Sequence, residues 1–316
     1  MSTSRVPLVV SAAVLDAQRS GIPVLGLETS GITSGAYPQN LEIADAVDRA
    51  AIAEGVVPAR IGVIDGQLRV GLSHEEVERL ALTKNGTKIG NRDLGISVAG
   101  KITGGTTVSA SLHIAARAGI TVFAVAGIGG VHRGAETSFD ISADLVQFTK
   151  SPIAVVCAGA KSLLDPGLTL EYLETAGVPV IRFRSDFFPG YYTQSTGFTV
   201  PHRLDELGDV VRAVHAHWDS APSTAVLVTH PIAEEWSIDS GVLDDLVTSA
   251  LAEAATAGQS GAQLTPFVLS AIAKATEGKS TKVNEAVLLS TTTIGALLAK
   301  EEARQAVERD LAGALT

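Results

Sequence analysis

Strand-length runs that are apolar throughout recur along this chain and alternate with segments of helical periodicity. "IPVLGLE" (22–28), "TVFAVAG" (121–127), "IAVVCAG" (153–159), "VPVIRF" (178–183) and "TAVLVTHP" (224–231) are such runs. A strand with one wet face alternates apolar and polar residues, whereas one that is apolar on both sides must be covered on both faces. The intervening segments supply that cover. In "QNLEIADAVDRAAIAEG" (39–55), Leu41, Ala44, Val47 and Ala51 share one helical face and Gly55 stops the helix. "VSASLHIAARAGI" (108–120), "TLEYLETAG" (169–177) and "LGDVVRAVHAHW" (207–218) read as helices too.

Two local signals refine the pattern. Asp65-Gly66 sits between two short strands and predicts a hairpin. Ser73 and Glu76 have capping-box spacing and open a helix. Beyond residue 240 the strands stop, and three amphipathic helical segments follow, at 240–258, 265–278 and 281–313. The predicted architecture is an α/β/α sandwich with a mostly parallel sheet and an all-helical C-terminal segment.

Composition decides the number of domains and the class of partner. With 316 residues, 46% of them hydrophobic, the chain can bury a large core. No Pro/Ser linker or charge block divides it, so residues 1–316 are expected to form a single domain. A net charge of −10 argues against nucleic acid as a partner. No run approaches 18 apolar residues, and the N-terminal apolar stretch is too short for a secretory signal, so no membrane contact and a cytoplasmic location are expected. The one cysteine, Cys157, lies in an apolar run and reads as a small buried hydrophobe.

Parallel sheets bind ligands beyond the carboxyl ends of their strands. Glu28, Lys88, the stretch "GIGGVHRGAETSFDISADL" with His132, Arg133, Asp140 and Asp144, and Lys161 all fall there. "GIGG" lacks the spacing of a dinucleotide fingerprint. Asp140 and Asp144 are four apart and would share a face if helical, with Phe139, Ile141, Ala143 and Leu145 suggesting that one carboxylate faces inward to a metal. Lys161 is the sharpest candidate, because an amine desolvated at the end of an apolar strand can lose its proton and attack a carbonyl.

Together these segments resemble the pseudouridine-5'-phosphate glycosidase family. "YPQN" (37–40), "GTTV" (105–108), residues 127–136, "FDISADL" (139–145), "VVCAGAKSLLDPGLTLEYLETAGVPVI" (155–181), "PHRLDE" and "TPF" (265–267) carry the likeness. The resemblance implies an α/β/α fold, a homotrimer, a divalent cation, typically manganese, and reversible cleavage of the carbon–carbon bond between uracil and ribose 5-phosphate. By position it makes Lys161 the Schiff-base nucleophile, Glu28 the proton donor and Asp140 the metal ligand. Ser142, Ala143 and Asp144 become a substrate-contacting triplet. Lys88, Thr107, Val108, His132 and Asn284 join them on the substrate.

The chain also departs from the family pattern. The segment after Glu28, "ETSGITSGAYPQN", is one residue shorter than usual, with Ser34 where a histidine is expected. His230 replaces an asparagine, Gln194 an arginine, Ala262 a lysine, and Ser290-Thr291 an asparagine pair. Losing polar pocket groups suits a less polar aglycone. The expectation is therefore a C-glycosynthase-type enzyme joining ribose 5-phosphate to an aromatic aglycone, similar to a relative that C-ribosylates a polyketide in alnumycin biosynthesis. The alternative is pseudouridine-5'-phosphate cleavage. An inactive sugar-phosphate-binding protein is a third reading, against which both Glu28 and Lys161 stand.

Overall fold

The computed structural model describes residues 6–83, 87–221, 223–259 and 264–313. Its strands are β1 (Leu8–Val10), β2 (Val24–Leu27), β3 (Val57–Ile64), β4 (Gln67–Val70), β5 (Thr87–Ile89), β6 (Gly104–Thr106) and β7 (Val122–Ala124), then β8 (Val131–His132), β9 (Ala154–Cys157), β10 (Leu164–Asp165), β11 (Val180–Phe183), β12 (His202–Leu204) and β13 (Val226–Thr229). The main sheet runs β1-β4-β3-β2-β7-β9-β13-β11-β12, with β6 also pairing with β3 and β5 with β6. Every pairing from β3 to β12 along that order is parallel. The antiparallel exceptions lie at β3, against β4 and β6.

Period-two burial on both faces explains why the strands read as unbroken apolar runs. On β9, Val155 and Cys157 enter one core with Phe123 and Leu227. Ala154 and Val156 enter the other with Val122, Ala124, Val226 and Val228. The first core is closed by the helices Val108–Arg117, Ala143–Phe148, Pro166–Thr175, Ser240–Thr256 and Leu264–Ala275. The second is closed by Gln39–Ala53, Leu207–Ser220 and the far part of Lys279–Gly313. Each fully buried side chain of the size of Phe123 contributes about 2–3 kcal/mol by leaving water. Cys157 is fully buried, and burial pushes its thiol up to about 12, which leaves it an inert hydrophobe.

The local signals hold. Asp65 and Gly66 both take positive φ, 50° and 76°, in the tight turn joining β3 to β4. Ser73 and Glu76 form a reciprocal capping box on the helix His74–Leu82. Helices alone follow β13, ending in the single helix Lys279–Gly313. No helix among the described residues is long and apolar enough to cross a membrane. The replacement at Ala262 lies outside the described residues.

Candidate active site

β2, β7 and β9 are neighbours in the sheet, so the segments leaving them emerge side by side. Glu28 follows β2 directly and Lys161 follows β9 by a short turn, so the two leave strands that flank β7 on either side. The turn is fixed by main-chain bonds: the Lys161 N–H donates to the Ile128 carbonyl at 3.0 Å, and the Ile128 N–H to that of Gly159 at 3.0 Å. Gly159 takes φ +85°, and a Cβ there would lie 2.0 Å from the Pro189 carbonyl oxygen, so only glycine fits. Beside Glu28, the buried Thr29 hydroxyl donates to the Ile61 carbonyl at 2.6 Å and accepts from the Thr106 N–H at 3.0 Å. This pair locks the end of β2 to β3 and β6.

Glu28, Ser34, Lys88, Lys161, Tyr191, Tyr192 and Asn284 line one cavity of about 240 Å³, together with Thr265, Pro266 and Leu269. A larger cavity of about 580 Å³ also meets Lys161, with Arg133, Thr193, Thr196 and Asp244. The larger one carries the Arg133–Asp244 ion pair at 2.7 Å, while the smaller one brings Glu28, Lys88 and Lys161 within reach of one another's charge. Desolvation raises the Glu28 carboxyl above its ordinary range; the Lys161 charge and a 2.9 Å bond from the Ser30 hydroxyl oppose this, and the Asp144 charge adds to it. Burial lowers the Lys88 amine, and the charge of Lys161 lowers it further. A carboxyl held upward can carry a proton toward neutral pH and release it to a neighbour, as general acid–base chemistry requires.

A second cluster centres on Asp144, whose charge reaches Glu28. Asp144 is buried, and its two oxygens accept from the N–H groups of Ser109 and Gly129, each at 2.8 Å. It ties the start of the helix Val108–Arg117, capped by Thr107, to the loop after β7. Gly129 has no room for a side chain, since a Cβ would lie 2.1 Å from the Ser142 hydroxyl. Val108 is buried, Ser142 half-buried and Ala143 exposed.

The fold does not realise the helical spacing of the two aspartates. Asp140 precedes the helix Ala143–Phe148 and Asp144 lies in its first turn, so they share no helical face. Asp144, not Asp140, is the carboxylate that turns inward, and Phe139 is 83% exposed. The helix starts only at its Ser142 cap, because the backbone before it is bound to other loops: His132 N–H to Asp140 carbonyl and Ser142 N–H to Gly130 carbonyl, both 3.0 Å. The Asp140 carboxylate lies 3.9 Å from His132 Nδ1 and its side chain is 38% exposed. His132 is held below its usual range by burial and by Lys161, with Asp140 opposing. Among the described residues no three His, Cys, Asp or Glu side chains converge as a metal cage.

Tyr191 and Tyr192 are absent from the residues singled out above, although two adjacent aromatics after "FFPG", in the connection between β11 and β12, are a visible cue. Tyr191 donates its hydroxyl to Asn284 Oδ1. The departures are spread more widely than expected. Among the described residues that depart, only Ser34 lines the cavity. His230 packs on Phe183, Gln194 donates to the Ile232 carbonyl, and the Thr291 hydroxyl donates to the Val287 carbonyl within its own helix. Ser290 lies in a separate groove with Trp236.

Residues 13–301 match the protein family described as Indigoidine synthase A like protein. The pseudouridine-5'-phosphate glycosidase of Dickeya dadantii (strain 3937) is 47% identical over 290 residues, 92% of each chain. Pseudouridine-5'-phosphate glycosidase 1 of Photorhabdus laumondii is 43% identical over 298 residues, 94% of each chain. Among solved structures, the prealnumycin C-glycosynthase AlnA in complex with ribulose 5-phosphate superposes with a TM-score of 0.89 at 40% identity, covering 96% of this chain and 99% of that one. An indigoidine synthase A-like protein from Thermotoga maritima gives 0.84 at 29% identity, covering 93% of this chain and 96% of that one. The chain belongs to the Indigoidine synthase A like family, is an enzyme, and shares that family with the pseudouridine-5'-phosphate glycosidases.

Proposed function

We propose that the chain is a pseudouridine-5'-phosphate glycosidase, reversibly splitting the C–C bond between uracil and ribose 5-phosphate. The observation that carries this is the cavity shared by the Lys161 amine and a Glu28 carboxyl raised by burial. A C-glycosidic bond offers no leaving oxygen to protonate, so cleavage needs an electron sink at C1. The C1–O bond breaks as the ring oxygen takes the proton of Glu28, the Lys161 amine adds at C1, and the ammonium so formed returns a proton to Glu28. The C1–C5 electron pair then passes to the uracil carbon, which takes a proton from Glu28, while the nitrogen lone pair forms the C1 iminium. Water hydrolyses the iminium, releases ribose 5-phosphate and restores the amine. Lys88 supplies a cation for the phosphate; His132 and the Thr107–Val108 helix start, which do not line this cavity, are assigned to the substrate by family likeness alone.

A divalent cation at Asp140, manganese by family likeness, and a trimeric assembly are part of this proposal. A half-exposed carboxylate without a cage fits a hard cation that keeps most of its waters. Such an ion would offset anionic charge on the sugar phosphate.

The aromatic-aglycone reading expected from the sequence is second. Glycosidase relatives at 47% and 43% identity support the uracil reading, and most of the lost polar groups lie away from the cavity. What favours the second reading is an adjoining, mostly apolar cavity of about 190 Å³ that shares Glu28, Gly31 and Asn284 with the first. Incubation with pseudouridine 5'-phosphate decides between them. Release of uracil, with borohydride trapping ribose 5-phosphate on Lys161, is the expected result. Trapping with ribose 5-phosphate but no uracil release would shift the assignment to C-glycoside synthesis, and label on another lysine would end the mechanism.

A further inference from the structure

Tyr191 is 3% exposed, lines the cavity that holds Glu28 and Lys161, and takes a left-handed backbone with φ 68°. Such a conformation is costly for a bulky residue and persists only where its surroundings enforce it. Two features enforce it here. Its N–H donates to the Ala158 carbonyl at 2.8 Å. Its ring lies over Gly127, where a Cβ would come within 2.4 Å of it.

The result is a phenol hydroxyl delivered to Asn284 Oδ1. Burial, and after it the neighbouring Tyr192 and Glu28, hold this phenol well above its usual range, so it keeps its proton and can donate. An asparagine amide has an acceptor end and a donor end that a bare pocket would not distinguish. With Oδ1 occupied by Tyr191, Nδ2 is left to face elsewhere, and among the described residues no protein acceptor meets it.

We propose that Tyr191 is a positioning residue that fixes the amide of Asn284 with its N–H₂ toward the ligand, so that the site selects aglycones carrying a carbonyl oxygen at that point. Uracil has two such oxygens. The inference rests on the glycosidase reading for its probe, uracil, but not for the lock itself.

The test is a double-mutant cycle with Tyr191→Phe and Asn284→Ala, run in the synthetic direction with ribose 5-phosphate and uracil. Tyr191→Phe alone should raise the uracil KM about tenfold, the worth of one well-oriented hydrogen bond, and change kcat much less. In the Asn284→Ala background the same change should move KM by less than about twofold, because its effect passes through Asn284. An equal loss in both backgrounds, or none in either, would overturn the proposal. Should the wild type turn over no uracil, the glycosidase reading falls by itself. Unfolding midpoints of the same four proteins then decide the lock: coupled shifts sustain it and additive shifts overturn it.

Discussion

Asp144→Asn preserves shape and burial while replacing one acceptor oxygen by an N–H₂ group. In the wild type both oxygens take main-chain N–H groups at 2.8 Å, those of Ser109 and Gly129, in a buried setting. Bonds to a buried charge contribute about 1.5–3 kcal/mol each, and a donor left buried without a partner costs about 1–3 kcal/mol. The amide can serve one donor and must confront the other. The expected loss is about 3 kcal/mol, which for a chain of this length lowers the thermal midpoint by about 6 °C at roughly 2 °C per kcal/mol. The same substitution removes a negative charge that helps hold the Glu28 carboxyl up. If protonated Glu28 is the form that cleaves, activity falls as pH rises through its pKa, and Asp144→Asn should move that limb to lower pH. Differential scanning calorimetry and a kcat/KM profile against pH measure both. An unchanged midpoint would show that Asp144 does not tie the two segments together, and a limb that stays put or moves to higher pH would refute the charge argument.

Glu28→Gln should cost about 10²–10⁴ in kcat, read as uracil release. It should also stabilise the fold at neutral pH. Burial raises the carboxyl above its ordinary 4.5, so the wild type loses stability as pH rises from there through the folded pKa, and the variant does not; paired urea titrations at acid and neutral pH show the gap opening with pH. Chelation, or Asp140→Ala, should lower activity, with manganese restoring only the wild type; full activity in metal-free protein would remove the cation from the proposal. Ser34→His with one residue inserted after it should alter the uracil KM while leaving ribose 5-phosphate affinity, measured calorimetrically, unchanged. Loss of ribose 5-phosphate binding would place that loop on the sugar side.

How far the residues announce these arrangements depends on the range of the interaction involved. The two-faced apolar strands, the Asp65-Gly66 turn and the Ser73–Glu76 box depend on neighbours in the chain, and the structure keeps all three. Glu28 and Lys161 could be placed at strand ends because a parallel sheet puts its connections there, and both line one cavity. The aspartate pair failed for a tertiary reason. Main-chain bonds from His132 and Ser142 hold the stretch around Asp140 out of a helix, and spacing alone carries no trace of them. The meaning of the departures was equally hidden, since a missing polar group says nothing about which way the lost side chain would have pointed. Tyr191 needed the fold twice, once for its left-handed backbone and once for the helix that brings Asn284 to it.

That helix, Lys279–Gly313, has a seat as well as a tip. Asn284 lies near its start, while Ala296, Leu298 and Ala299 press into the core on the far side of the sheet. Between them Gly295 rests against the strands so closely that an added Cβ would come 2.8 Å from that of Ala124 and 3.1 Å from Leu25. Eleven residues of helix make a stiff arm of about 16 Å. A single methyl under its fulcrum would tilt the arm and swing the amide at the other end, so the fine adjustment of this pocket sits at a point that never touches a substrate.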